Sequence, residues 1–273
     1  MVTNLILILK AIILGIVEGF TEFLPISSTG HMIIIGHFLK FEGDFAKLFE
    51  IFIQLGSILA VVVLFRKKIF ASLKSLKPKG FGFKLWTNLI IGFIPAGIIG
   101  LLFHKKIEEY LMVPIPVAGA LLIGGIWMIF AEKKYRNTNK IKTLEEVGYK
   151  QAFIIGCFQC LSVIWPGFSR SASTIIGGWI MGLTSVVAAE FSFFLAIPTM
   201  VIATGFELIK TKMVLNSPEI ISLIVGFIVS FLVALVVVGK FINYLKKKPM
   251  KGFAVYRIIV GIIIIIFSLV KLI

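Results

Sequence analysis

Residues 11–36 (AIILGIVEGFTEFLPISSTGHMIIIG) match residues 152–177 (AFIIGCFQCLSVIWPGFSRSASTIIG) without a gap, at a displacement of 141 positions. Gly15 falls on Gly156, Glu18 on Gln159, Thr21 on Ser162, Pro25 on Pro166 and Ser28 on Ser169. Each copy is an apolar run broken by a proline and followed by hydroxyl-bearing residues. The chain is 59% hydrophobic and 15% charged, which a soluble domain has no use for, so the copies belong to a polytopic membrane protein. Irregular backbone at membrane depth survives only where protein or water satisfies it, and paired interruptions in two halves mark where a substrate sits.

Six other stretches are long enough to cross a bilayer: about 48–65, 85–103, 114–131, 187–206, 219–239 and 253–271. Each half therefore reads as a broken hairpin (about 5–39 and 151–182) followed by three crossings. Three crossings per half insert the second half upside down, so the expected fold is all-α: six transmembrane helices plus two re-entrant helical hairpins in an inverted-topology repeat. Residues 1–273 form one integral membrane domain on this reading, with repeats over about 5–133 and 151–272. Loop charge gives an independent orientation. Loops 66–84 and 240–251 carry lysine or arginine and no acid, and 132–150 is net basic, whereas 104–110 and 207–219 are balanced. The positive-inside rule puts the first three in the cytoplasm, the first hairpin opening outward and both termini outside. The apolar N-terminal stretch carries Glu18 and Glu22 and no small-residue cleavage pattern, so no removable signal peptide is expected.

Glu18 and Glu22 lie one helical turn apart on one face. Each buried charge is worth roughly 2.5–3.5 kcal/mol against insertion. Two such neighbours call for a cation between them or a shared proton, unless the hairpin lies so shallow that both face water. Hard divalent ions, Mg²⁺ or Ca²⁺, suit these oxygens. Past Pro25, Ser27, Ser28 and Thr29 offer N-caps for the next helix, whose free N–H groups form a phosphate cradle. His31, three residues after Ser28, allows one face to carry hydroxyl and imidazole, a minimal activated nucleophile. In the second hairpin Pro166-Gly167 precedes Ser169, Arg170, Ser171, Ser173 and Thr174. The Arg170 fork suits phosphate oxygens bidentately, and the hydroxyls can serve those oxygens or the freed backbone. The structural alternative is an arginine that only pairs with Glu18 or Glu22. Glu50 and Glu190 fall at matching starts of the third elements, with Gln54 one turn on, and suggest supporting roles. Tyr256 and Arg257 read as a cytoplasmic interface anchor, His37 and His104 as edge residues, and Cys157 and Cys160 as small packing residues.

EGFTEFLPISSTGHM (18–32) and PGFSRSAST (166–174) resemble the two signatures of bacterial undecaprenyl-diphosphatases of the bacitracin-resistance type, and the likeness runs over essentially the whole chain. The resemblance implies hydrolysis of undecaprenyl diphosphate to undecaprenyl phosphate and inorganic phosphate, recycling a carrier lipid for peptidoglycan and other envelope polymers. It also implies a divalent-cation requirement (Mg²⁺ or Ca²⁺, with Glu18 and Glu22 as ligands), a site on the outer side of the cell membrane, and bacitracin resistance. Arg170 and the two helix N-termini would neutralise the diphosphate, and Glu18 and Glu22 would hold the cation or one of them would act as a general base. Ser28 or His31 would attack phosphorus, or His31 would activate water. The expected partners are the polyprenyl substrate and membrane lipids, with a homodimer left open. The net charge of +15 is set by lysines between apolar spans, where they meet lipid headgroups, and nucleic acid is excluded. The competing class is a lipid-phosphate transporter, which needs the same anion site but no nucleophile. A structural scaffold does not explain Arg170 beside two acids.

Overall fold

The computed structural model describes residues 2–136, 140–210 and 213–272. Its described residues form helices α1 (Val2–Thr21), α2 (Ser28–Phe38), α3 (Asp44–Leu64), α4 (Arg66–Lys74), α5 (Phe81–Leu111), α6 (Pro114–Tyr135), α7 (Tyr149–Ile164), α8 (Arg170–Ile180), α9 (Ser185–Lys210), α10 (Ser217–Leu245) and α11 (Lys251–Leu269). Seven of these are long and apolar enough to cross a membrane, one more than the six expected, and the additional one is the first limb of the first hairpin.

Two boundaries differ from the sequence reading. Helix α5 runs on through Lys105, Lys106, Glu108 and Glu109, because these good helix formers prolong an apolar helix past the hydrocarbon. At 31 residues it is roughly 46 Å long, against a core of about 30 Å. The basic stretch expected as loop 66–84 contains α4, which presents Phe70, Leu73 and its lysines outward and tucks Ser72 against α5 through the Trp86 indole N–H.

Both hairpins are built to one plan. Helix α1 ends where Pro25 follows, and α7 ends before Pro166-Gly167. Each second limb is 11 residues long and starts after a serine whose hydroxyl accepts from the N–H three residues on: Ser27 from Gly30, Ser169 from Ala172. These two serines adopt left-handed φ values of 70° and 73°, a conformation that costs a side-chain-bearing residue roughly 1–2 kcal/mol. The limbs also end alike. Lys40 and Gly182 take positive φ, and the next N–H, of Phe41 or Leu183, bonds back to Gly36 or Gly178. Ser27 therefore matches Ser169, and Gly36 matches Gly178, at a displacement of 142. The gapless match at 141 is one residue out beyond the prolines, because Gly167, with φ 94°, is an extra residue in the second break.

The most extensive helix packing pairs α1 with α10, α3 with α10, α6 with α11, and α5 with α7. At the α1 crossing a Cβ on Gly15 would sit 2.8 Å from the Gly226 carbonyl oxygen. At the α7 crossing a Cβ on Gly156 would run into the Gly92 carbonyl. Small residues are what let backbones approach in lipid, where apolar surface alone gives little drive for helix association. The largest buried cluster lies behind the breaks and includes Phe23, Leu89, Ile155, Ile175, Trp179 and Phe193, with Phe23 and Phe193 edge to face at 5.2 Å.

Candidate active site

The two breaks face each other, and their side chains meet at Glu22. Glu22 follows the last turn of α1, where its N–H still donates to the Glu18 carbonyl at 3.0 Å. One carboxylate oxygen accepts from Arg170 Nη2 at 2.9 Å, and the other accepts from Ser28 Oγ at 2.6 Å. Arg170 is the first residue of α8 and Ser28 the first of α2, so the equivalent residue of each second limb donates to the same carboxylate. Arg170 also donates to the Ser192 carbonyl at 3.1 Å and lies 5.5 Å from the Phe23 ring. With side-chain exposures of 12% for Arg170 and 9% for Glu22, the pair is largely withdrawn from solvent, so its charge-assisted bonds are strong.

Glu18 lies one turn back on α1, 1% exposed, and its Oε1 is buried without a hydrogen-bond partner. The charges acting on it are those of Glu22, Glu50 and Arg170. No three His, Cys, Asp or Glu side chains converge as a metal cage among the described residues.

The expected hydroxyl–imidazole pair does not form. Ser28 turns to Glu22, whereas His31 Nδ1 lies 2.7 Å from the Ser27 carbonyl and its Nε2 lies 2.8 Å from the Tyr256 hydroxyl. A carbonyl only accepts, so Nδ1 carries the proton, and in neutral His31 Nε2 accepts from Tyr256. Three residues along a helix share a face, but the break bends Glu22 closer to Ser28 than the imidazole comes.

The hydroxyls of the second hairpin serve backbone. Ser171 donates to the Leu24 carbonyl in the first break at 2.8 Å, which ties the two tips together. Ser173 and Thr174 donate to the Arg170 carbonyl at 2.9 and 2.8 Å, and Thr174 also meets Ser192 Oγ at 2.6 Å. Ser169 caps α8 and lies 3.2 Å from Ser171 Oγ, while Thr29 is half-buried in the first turn of α2.

A cavity of about 890 Å³ adjoins α2 on the flank of Met32, Ile33 and Gly36. Glu50 lines it, as do Glu42, Asp44 and Glu108 and the histidines His37 and His104. Glu190, the sequence counterpart of Glu50, lies elsewhere, paired with Lys68 at 2.6 Å.

Sequence reasoning misplaced Tyr256 and Arg257. They do not form an interface anchor: Tyr256 holds His31, and Arg257 is fully buried against carbonyls of both breaks, Pro25 and Phe168 among them. Arg257 is the only charge inside 253–270, and an ionisable residue in an apolar span is a site candidate by default. Its closeness to the start of the span is what suggests an interface anchor instead. Ser192, in α9, carried no signal.

A family model described as bacitracin resistance protein BacA matches residues 11–263. A protein of Clostridium acetobutylicum named undecaprenyl-diphosphatase 2 is 53% identical to this chain over 100% of both. Proteins named undecaprenyl-diphosphatase from Clostridium tetani and Caldanaerobacter subterraneus are 52% and 55% identical, the first over 98% of this chain and 99% of its own length, the second over 95% of each.

Proposed function

The chain belongs to the bacitracin resistance protein BacA family, and from that membership we propose that it hydrolyses undecaprenyl diphosphate. Water and the lipid diphosphate give undecaprenyl phosphate and inorganic phosphate, which returns the carrier lipid to envelope synthesis. The observation that carries the site assignment is Glu22 accepting from Arg170 and Ser28 at once. A bidentate phosphate ligand and a hydroxyl nucleophile are thereby prepared by one carboxylate.

In the mechanism this geometry favours, Arg170 leaves Glu22 for the non-bridging oxygens of the incoming diphosphate, where it stabilises the phosphoryl transition state. Glu22, released from Arg170, takes the Ser28 proton. Ser28 Oγ bonds to the terminal phosphorus as the bond to the bridging oxygen breaks, and undecaprenyl phosphate departs. Water then cleaves the phosphoserine and frees phosphate. His31, fixed by Tyr256 and Ser27, is the nearby group for proton transfer in the second step. Ser27, Thr29, Ser169, Ser171, Ser173 and Thr174 shape the two N-terminal cradles that receive the diphosphate.

A divalent cation, Mg²⁺ or Ca²⁺, fits the acidic turn. The partnerless Glu18 Oε1 beside Glu22 is the donor type such ions take, and these two carboxylates would hold it. Bound there, it would neutralise phosphoryl charge.

The same reading takes the chain as two inverted repeats, with six crossings and α1–α2 and α7–α8 re-entrant, and the first hairpin opening to the outer side. The reciprocal packing of α1 on α10 and α7 on α5, the matched breaks and the basic loops support it. Lipid would cover the outward apolar rows, such as Leu5, Leu9, Ile13 and Ile16 of α1.

The test is phosphate release from undecaprenyl or farnesyl diphosphate by purified protein in detergent, with Mg²⁺, Ca²⁺ or EDTA and with Arg170→Ala alongside. Release that requires both cation and Arg170 is expected. Movement of lipid phosphate without phosphate release would instead select the transporter.

A further inference from the structure

Helix α11 supplies a residue that neither repeated motif contains. Arg257, in its second turn, is 0% exposed. Nη1 donates to the Pro25 carbonyl at 3.4 Å, and Nη2 donates to those of Ala120, Gly167 and Phe168 at 3.3, 3.4 and 2.7 Å. Pro25 belongs to the first break, Gly167 and Phe168 to the second. Each break frees carbonyls that a continuous helix would satisfy, and at membrane depth water is scarce. A single guanidinium serves both.

The surroundings are shaped for it. Helix α6 passes with Gly124, where a Cβ would run into Nη2 and lie 3.0 Å from Cζ. The Phe168 ring lies 5.8 Å from Cζ. Among the described residues none of its hydrogen-bond partners is a carboxylate, so within them this charge is not half of a buried ion pair. Burying a guanidinium against carbonyls alone is expensive, and packing by itself does not account for it.

We propose that Arg257 is a positioning residue that staples the two broken tips together and so sets Arg170 against Glu22. It touches neither, and acts through backbone: Pro25 stands three residues after Glu22, and Phe168 two before Arg170. A planar fork with several fixed donors can reach carbonyls on two hairpins and α6, which a lysine ammonium cannot.

Three full-length variants test this: Arg257→Gln, Arg257→Lys and Gly124→Ala. The last removes no hydrogen-bonding group and displaces the guanidinium. Two readouts are taken on folded protein, amide hydrogen exchange by mass spectrometry and steady-state phosphate release. In Arg257→Gln, exchange should quicken together in peptides covering 24–30 and 166–173 and stay unchanged along α10. Release should fall about a hundredfold in kcat with KM little changed, the scale on which a ~1 Å misplacement acts. Arg257→Lys should restore only part of either. Gly124→Ala should act in the same direction and add nothing in the Arg257→Gln background. Unchanged exchange at either break, or release within about threefold of the parent, overturns the staple. If Arg257→Gln does not fold, the other two variants decide by the same criteria. The activity arm rests on the phosphatase reading. A parent protein that releases no phosphate would sink that reading, and the exchange arm would still decide the staple.

Discussion

Around the first break stand Glu18, Glu22, Ser28 and His31; the matching places around the second hold Gln159, Val163, Arg170 and Ser173. The backbones agree to the sign of individual φ angles, whereas the side chains share almost no chemistry. In the second hairpin Gln159 reaches Thr199, and the hydroxyls after Arg170 bond to backbone carbonyls. The first hairpin carries the acids, the hydroxyl and the imidazole. The second carries Arg170, the cation that bonds to Glu22. The difference teaches that what the two hairpins share is a backbone form, a break followed by a helix N-terminus, while their polar side chains are distributed differently over it. Acids at the matching places of both hairpins would repel one another across the gap, whereas acid facing arginine attracts.

The sharpest way to break the division is Arg170→Ala, which should lower phosphate release about 10³-fold or more in folded protein. Exchanging the partners, with Glu22→Arg and Arg170→Glu together, should rebuild the ion pair and restore thermal stability without restoring release. Recovered activity in the exchanged protein would reduce the pair to structural glue. Ser28→Ala asks whether the first hairpin supplies the nucleophile, and a loss of about 10²-fold is expected. A loss below tenfold would shift the attack to water. Gly15→Ala and Gly156→Ala test whether the backbones are as alike as they look. Each should destabilise by about 1–3 kcal/mol in thermal melts, since a Cβ meets main chain at both crossings. Tyr256→Phe is the mildest change, removing one hydrogen bond from His31. It should lower release only severalfold, the scale of about 1 kcal/mol. Ser173, at the place of His31, bonds to the Arg170 carbonyl instead.

The sequence made the repeat, the breaks and the convergence of acid with arginine legible, because membrane-buried charges and prolines have few innocent explanations. The register did not survive. Serine runs follow both prolines, so a gapless comparison set Ser28 on Ser169 and hid the extra Gly167. That single residue decides that Arg170, not Ser169, is the counterpart of Ser28. The Ser28–His31 pairing failed for a related reason: helical spacing says which residues share a face and nothing about what a bent chain brings in from outside it. Arg257 was visible as a lone intramembrane charge, but only the folded chain reveals that its reach spans two breaks lying far apart in sequence.

Reciprocal packing also bears on biosynthesis. The partner of α1 is α10, some 200 residues later in the chain, and α7 lies against α5 of the preceding half. A ribosome therefore delivers the acidic limb long before the surface that encloses it exists. Contacts so distant in sequence form late. During that interval Glu18 and Glu22 have the neighbouring α2 and α3 but neither Arg170 nor α10, so assembly of the second half is what encloses the acidic limb.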